Sequence, residues 1–498
     1  MAVFRRISSA LVFIAMLVGA RNLEAQALPD QAFAFRIASV DFVVDGRPLA
    51  FVLRDKVNIP EDKGFADKPS LDAYLADRRQ LLLNERTLQS VTVGYDAGAA
   101  GADGSVPVAV HFKVKESWNL IALPKPTYDS NSGLLLSVRA RDYDFVGSMQ
   151  TLSLDLNYTY DQFGRSGFGG ATSFSVPFVL GSFQASVGAS SSLTIYADGT
   201  PMASSTSLSF SLTDRRFGFP LTYSVSQGLT TNPDAVSNDS DPYYLSDSAS
   251  VSTSFVLDDG FGALGELVYT PSLTFSQMWR FESPVRSDRQ GPVASFSHGL
   301  TWGRVDWVGN REKGAQFSLS NTDSYNFQSL SNSIGLDASV GYYQPLIGPL
   351  AMKARFQIFD QPTGGQRTTL GGSMRGILDG RINGVAGAFF NGDLPIKLFD
   401  FPTHLLIGKD WLDFQAQIAP FLDLGEVLPD FGSSFSTSTT WASGGLEGYV
   451  FPLRMRSFII RGSLGFDLKN FLKTHSLTEK TADGYIPYEI FFGLGLLY

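Results

Sequence analysis

The sequence predicts a transmembrane β-barrel of about sixteen antiparallel strands, preceded by one small α+β domain. Three observations carry that prediction. Segments of about ten residues with strict two-residue alternation recur from Trp118 to the C-terminus, separated by Gly, Asp, Asn and Pro-rich turns. Beyond the first residues, no stretch is long and apolar enough to cross a bilayer as a helix. Charged residues make up 17% of the chain, below the quarter typical of soluble globular domains, while 49 glycines and a Ser-rich middle dilute the hydropathy.

Residues 1–27 read as a secretory signal peptide. Arg5 and Arg6 form the positive region, Ile7 to Ala20 the apolar one, and Ala25-Gln26-Ala27 supplies a small-residue cleavage site. The apolar run is shorter than a spanning helix needs, which argues against a membrane anchor. The chain is thus expected in an envelope compartment.

Residues 36–117 read as one compact α+β domain. A strand from Arg36 to Asp45 sets Val40, Phe42 and Val44 on one face. Leu49 to Val57 is a short helix stopped by Asn58-Ile59-Pro60. Ser70 is the expected N-cap of a second helix, in which Leu71, Tyr74, Leu75, Arg78, Leu81 and Leu82 recur on one face. Thr87 to Tyr95 and Val106 to Glu116 are further strands around the Gly-Ala-Asp loop. The expected order is β-α-α-β-β.

Residues 118–498 read as the barrel. Leu152, Leu154, Leu156, Tyr158 and Tyr160 alternate with Ser153, Asp155, Asn157 and Thr159, and Leu208, Phe210 and Leu212 alternate with Ser207, Ser209 and Ser211. The last segment shows the pattern most cleanly: Tyr488, Ile490, Phe492, Leu494, Leu496 and Tyr498 form a C-terminal strand signal on one face. Glu489, Phe491, Gly493 and Gly495 face the other way. The inner glycines fit either a soft barrel seam or close packing of a loop inside.

Composition excludes much chemistry. With no cysteine, disulfides, zinc ribbons and thiol catalysis drop out. Four histidines form no metal motif, and neither a nucleophile elbow nor a phosphate loop is present, so no enzyme, cofactor or metal is expected. Asp413 and Asp423, both read as lumen carboxylates, lie too far apart on one strand to share a proton. A net charge of -9 argues against a nucleic-acid partner.

Two segments carry the functional signal. A long polar loop from Gln361 to Asp379 contains Leu370-Gly371-Gly372-Ser373-Met374-Arg375-Gly376, and downstream stands Phe421-Leu422-Asp423-Leu424-Gly425. Alternation puts Phe421, Asp423 and Gly425 on the lumen face. A lumen carboxylate is hydrated or paired, and an inward-folded Arg would suit it through a bidentate bond. The plainer alternative is an ordinary lumen-facing Asp and a solvent-exposed loop Arg. The pair of motifs resembles the loop and strand signatures of the BamA/TamA bacterial surface-antigen superfamily. That resemblance implies that Arg375 and Asp423 meet, locking the loop to the inner wall, whereas Arg367 is expected to be a bystander. The N-terminal domain likewise resembles a POTRA domain, although a single one is fewer than the superfamily's main assembly barrels carry. The resemblance further implies an outer-membrane protein whose N-terminal domain lies in the periplasm. Its expected partners are outer-membrane lipid and unfolded outer-membrane clients, with periplasmic chaperones or lipoproteins as accessories. Three roles follow as expectations: a barrel assembly and insertion factor, a two-partner-type translocator, or a passive porin or surface antigen.

Overall fold

The computed structural model describes residues 34–494 apart from 61, 102–103, 130–132, 161–163, 217, 233–240, 259–264, 288, 364, 408–412, 435 and 455–458. The signal peptide, Gly495, Leu496 and Tyr498 lie outside the described residues.

The N-terminal domain packs two helices on a four-stranded sheet. β1 (Phe35–Asp45), α1 (Ala50–Val57), the two-residue β2 (Gly64–Phe65), α2 (Lys68–Asn84), β3 (Leu88–Ala97) and β4 (Val106–Glu116) follow in sequence, and the sheet order is β2-β1-β4-β3. The expected order lacked β2, which is too short for alternation to reveal. β1 runs parallel to β4, and β3 antiparallel to it. Leu71, Tyr74, Leu75 and Leu82 of α2 are buried against Val108, Val110, Phe112 and Val114 of β4, as i, i+3, i+4 spacing on a helix and alternation on a strand require. Helix α2 starts earlier than Ser70. Asp67 is its N-cap, accepting from the Ser70 amide at 2.8 Å, and Pro69 occupies the first turn, where its missing N–H costs nothing.

The barrel is closed by twenty strand segments, from β5 (Leu120–Asp129) and β6 (Gly133–Asp142) through to β24 (Tyr488–Leu494). Tyr243–Thr253 and Phe255–Asp258 pair with the same neighbour, as do β19 (Ala386–Asp393) and β20 (Ile396–Phe401), which both pair with β21 (Phe414–Leu428). Each couple is one interrupted span, so eighteen antiparallel spans enclose the lumen among the described residues, against about sixteen expected. The Ser-rich strands between 180 and 330 carry too little hydropathy contrast to be counted singly. Leu156, Leu208, Phe275, Leu422, Leu446 and Phe492 are exposed on the outer face, where lipid would cover them. The inner face of the Ser-rich half is laced by hydroxyl pairs across neighbouring strands, including Ser190 to Ser207 at 2.8 Å and Ser226 to Ser248 at 2.8 Å.

The domain is docked on the barrel rim from which β5 rises. Arg47 spans Glu116 at 3.0 Å and Asp142 at 2.7 Å, and the Leu49 amide donates to the Gly147 carbonyl at 2.8 Å. Gly147 has φ +76°, and a Cβ there would lie 2.3 Å from the Arg47 carbonyl oxygen, so only glycine allows this approach. Met149, from the same barrel turn, is buried in the domain core. Farther round the rim, Arg304 joins Asp77 of α2 at 2.6 Å to Asp306 at 2.8 Å, and the Arg86 guanidinium lies 4.3 Å over the Trp307 ring.

Asp144 in this junction is fully buried, accepting from the Met149 amide at 2.7 Å. Burial, with Glu116 and Asp142 nearby, pushes its carboxyl up to about 6. A raised acid favours its protonated form in the folded state, so ionised Asp144 weakens the junction above pH 6. That cost disappears as the pH falls from about 6 towards the ordinary carboxylate range. Docking of the domain should therefore tighten on acidification from pH 7 to 5, read as slower hydrogen exchange at Leu49 and Met149. Asp144→Asn should abolish the dependence.

Candidate functional site

The alternation of β21 aims three motif residues into the lumen at successive inward positions, and each has a distinct task. Phe421 is nearly buried and offers its ring face; Asp423 is fully buried; Gly425 leaves a gap. A Cβ at Gly425 would lie 2.7 Å from the Met374 sulfur and 2.9 Å from the Phe389 ring. The strand thus presents a platform, a charge and a hole.

The loop that joins β18 (Ala351–Thr363) to β19 fills this surface. Arg367 and Gly384 exchange backbone hydrogen bonds at 2.8 and 3.0 Å, and the Leu370 amide donates to Ile382, so the loop is a folded hairpin. Met374, Ile377 and Ile382 are buried with Phe359, Phe389 and Val427 of the wall, with Leu370 packed beside them. Gly371 is required where a Cβ would meet the Leu378 carbonyl oxygen at 2.2 Å. Gly372 has more room, with the Asp379 carboxylate 3.1 Å from its Cβ position.

Arg375 and Asp423 meet. The Arg375 amide and Nε each donate to Asp423 Oδ2 at 2.9 Å, and Nη2 donates to Oδ1 at 2.6 Å. The guanidinium lies 3.9 Å over the Phe421 ring. Its remaining nitrogen donates to Asp393 and stands 3.4 Å from Glu447. Glu447, itself fully buried on β22 (Thr440–Pro452), accepts from Arg461 and from the Tyr449 hydroxyl. The next residue extends the lock. The Gly376 amide donates to Glu489 of β24 at 2.8 Å, and Gly376, at φ +86°, rests on Gly465 of β23 (Ile460–Asp467). A Cβ at Gly376 would approach the Phe466 nitrogen to 2.5 Å. The Arg-Gly tip therefore touches all five spans that follow the loop.

Sequence reasoning missed Asp393, Glu447, Tyr449 and Arg461. Their inward parity was readable, but the cross-strand pairing that gathers them was not. It also missed Arg381, which lies in the same loop 2.9 Å from Asp467 of β23. One expectation needs correction, that for Asp413, and one residue gains partners. Arg367 has partners of its own, binding the half-exposed Asp337 through two bonds at 2.6 and 2.9 Å and lying 5.0 Å over Phe359, away from the Arg375 cluster. Asp413 precedes β21 and is not a lumen charge; it accepts from the His404 amide at 3.0 Å and from Thr403 at 2.9 Å, capping a turn as Asp does where backbone donors are free.

The C-terminal signal residues Tyr488, Ile490 and Phe492 lie on β24, and the backbone of Leu494 ends its described part. Ile490 and Phe492 are exposed on the outer face. Gly493 faces inward, and the neighbour that would meet its Cβ is the Phe491 ring at 2.6 Å, not the loop. β24 closes the barrel against β5 through only two paired positions among the described residues, Phe491 with Asp129 and Phe492 with Tyr128. Its other edge pairs with β23 along seven.

A closed outer-membrane-type barrel, an α+β domain docked at one mouth and a loop locked inside define the class. Compared as a sequence, the chain matches no family model and no curated protein. Compared as a structure, it is similar to CdiB from Acinetobacter baumannii, with 13% identity, 94% of this chain and 74% of that chain covered, and a TM-score of 0.53. CdiB from Escherichia coli overlays with 13% identity, coverage of 93% and 76%, and a TM-score of 0.52. BamA from Haemophilus ducreyi lacking POTRA domains 1-3 overlays more loosely, with 14% identity, coverage of 93% and 84%, and a TM-score of 0.39. At this identity the two CdiB overlays show a shared fold and nothing finer.

Arg375→Ala strands buried carboxylates without their cation and should cost about 3–5 kcal/mol of barrel stability. Arg367→Ala removes a half-exposed pair and should cost about 1 kcal/mol or less. Heat-modifiable mobility of the purified variants ranks the two, and equal losses would contradict the lock. Gly376→Ala should release the loop tip while Arg375 remains, seen as protease cleavage between residues 370 and 380.

Proposed function

We propose that this chain is an outer-membrane assembly factor, which captures strands of unfolded barrel clients and inserts them at its own seam. The observation that carries this reading is that the barrel closes between its first and last strands, β24 against β5, through Phe491 with Asp129 and Phe492 with Tyr128 among the described residues. A joint between the first and last strands is where the barrel can part, and a client strand can take its place there by β-augmentation.

In this reading the N-terminal unit is a POTRA-like domain in the periplasm, delivered there by export directed by residues 1–27. It passes extended clients to the rim on which it docks. Outer-membrane lipid and unfolded clients are the partners, and chaperones or lipoproteins are accessories. No covalent chemistry is involved: the work is exchange of backbone hydrogen bonds, and the buried charge cluster serves as structure.

A two-partner-type translocator is the second reading, and one observation favours it: two overlays with a TM-score above 0.5 are with CdiB. The hydroxyl-lined part of the lumen would suit a passing polypeptide, since its serines offer both donors and acceptors.

Depletion of the protein, followed by quantifying folded heat-modifiable barrels against total envelope protein, separates these roles. The proposal expects a broad loss of folded barrels. Loss of one secreted partner alone would indicate a translocator, and an unchanged profile a porin or surface antigen.

A further inference from the structure

The turn that joins β15 (Val293–Val308) to β16 (Arg311–Asn326) reaches across the lumen instead of following the wall. The Asn310 carbonyl accepts from Gln417 Nε2 of β21 at 3.1 Å, and Trp307 packs against buried Ala419, Tyr449, Phe451 and Ile459. Along the wall, β17 (Ser331–Pro345), β18 and the β19–β20 span separate β16 from β21, so these contacts run through the interior. Two glycines permit the bend. Gly303 and Gly314, two rungs apart on the ladder with φ +101° and +133°, sit where a Cβ would meet the Ala315 and Arg304 carbonyl oxygens at 2.2 and 2.0 Å.

The N-terminal domain grips this turn. Asn84, the last residue of α2, accepts from the Trp307 amide at 3.2 Å and donates to Asp306 at 2.8 Å. Arg86 covers the Trp307 ring and donates to the Asn310 side chain at 3.3 Å. Inside the barrel, the same turn bears on the anchors of the loop. Tyr449, in the cluster that receives Trp307, donates its hydroxyl to Glu447, and Glu447 stands 3.4 Å from Arg375. Turn and loop also line one cavity of about 470 Å³, formed by Trp307, Gln417 and Tyr449 together with Gly372, Ser373 and Arg375.

We infer that the β15–β16 turn is a latch that couples docking of the N-terminal domain to the hold of the Arg375 loop, so that lifting the domain off the rim loosens the loop inside. With Asn84 and Arg86 in place, Trp307 is pinned against the Tyr449 cluster and the Tyr449 hydroxyl is kept at Glu447. Released, the turn swings on its glycines, and Glu447 loses a donor from the charge cluster that binds the loop. This goes beyond the assembly reading, because it concerns how two parts of the chain communicate whatever the cargo.

Hydrogen exchange of the full-length protein in lipid nanodiscs tests the latch at residues 370–380. The ladder between β8 (Ser166–Leu180) and β9 (Phe183–Tyr196) reports general loosening. Asn84→Ala with Arg86→Ala should speed exchange in the loop at least about fivefold and leave that ladder unchanged. The chain has no cysteine, so Asn310→Cys and Gln417→Cys can be joined by a short thiol crosslinker, which holds the turn without the domain. Crosslinking should restore protection of the loop. Tyr449→Phe keeps the ring and cuts the bond to Glu447, so in that background the Asn84 and Arg86 substitutions should add little. A loop indifferent to those substitutions would overturn the inference. So would loop and ladder loosening alike, protection that crosslinking does not restore, or an undiminished effect in the Tyr449→Phe background.

Discussion

The guanidinium of Arg375 is the point on which the barrel's second half depends. It enters a largely buried patch of the lumen wall where Asp393, Asp423 and Glu447 converge from three strands and would otherwise repel one another. Such carboxylates are tolerable only when a cation and hydrogen bonds satisfy them together. Arg supplies both, since its planar fork reaches two acids while its face rests on Phe421. Lysine, a point charge, could not do the same. Everything else in the loop serves delivery: the hairpin bonds stiffen it, Met374, Ile377 and Ile382 anchor it, and the Gly376 to Gly465 contact lets its tip lie flat.

This lock divides the barrel mechanically. From β19 to β24 the wall is braced from inside by one loop, whereas the Ser-rich half is held by ladder bonds and small hydroxyl pairs. The seam falls where the two regimes meet. β24 is tied to the loop through Glu489, and β5 is tied to the docked domain through the chain that leaves Glu116 and through the Arg47 bridge. Two strands held by different bodies form a joint that can part without unfolding either side.

Much of this was legible in the sequence because alternation reports direction. It put Phe421, Asp423 and Gly425 inward before any coordinates, and the loop motif supplied the cation to match. What it could not report is register, the property that brings Asp393, Glu447 and Arg461 to one point. The same blindness made Arg367 look idle, since Asp337 lies on another hairpin, and placed Asp413 in the lumen when it caps a turn. The strand total failed for a different reason: Ser against small apolar residues is a faint period.

The most direct test of the account is a double-mutant cycle on Arg375 and Asp423, with barrel stability measured for Arg375→Ala, Asp423→Ala and the combination. A shared buried lock predicts strong coupling, on the order of 2–3 kcal/mol, with the double variant little worse than Arg375→Ala. Additive losses would show that the two residues act independently, and would contradict the claim that the loop is held by this pair.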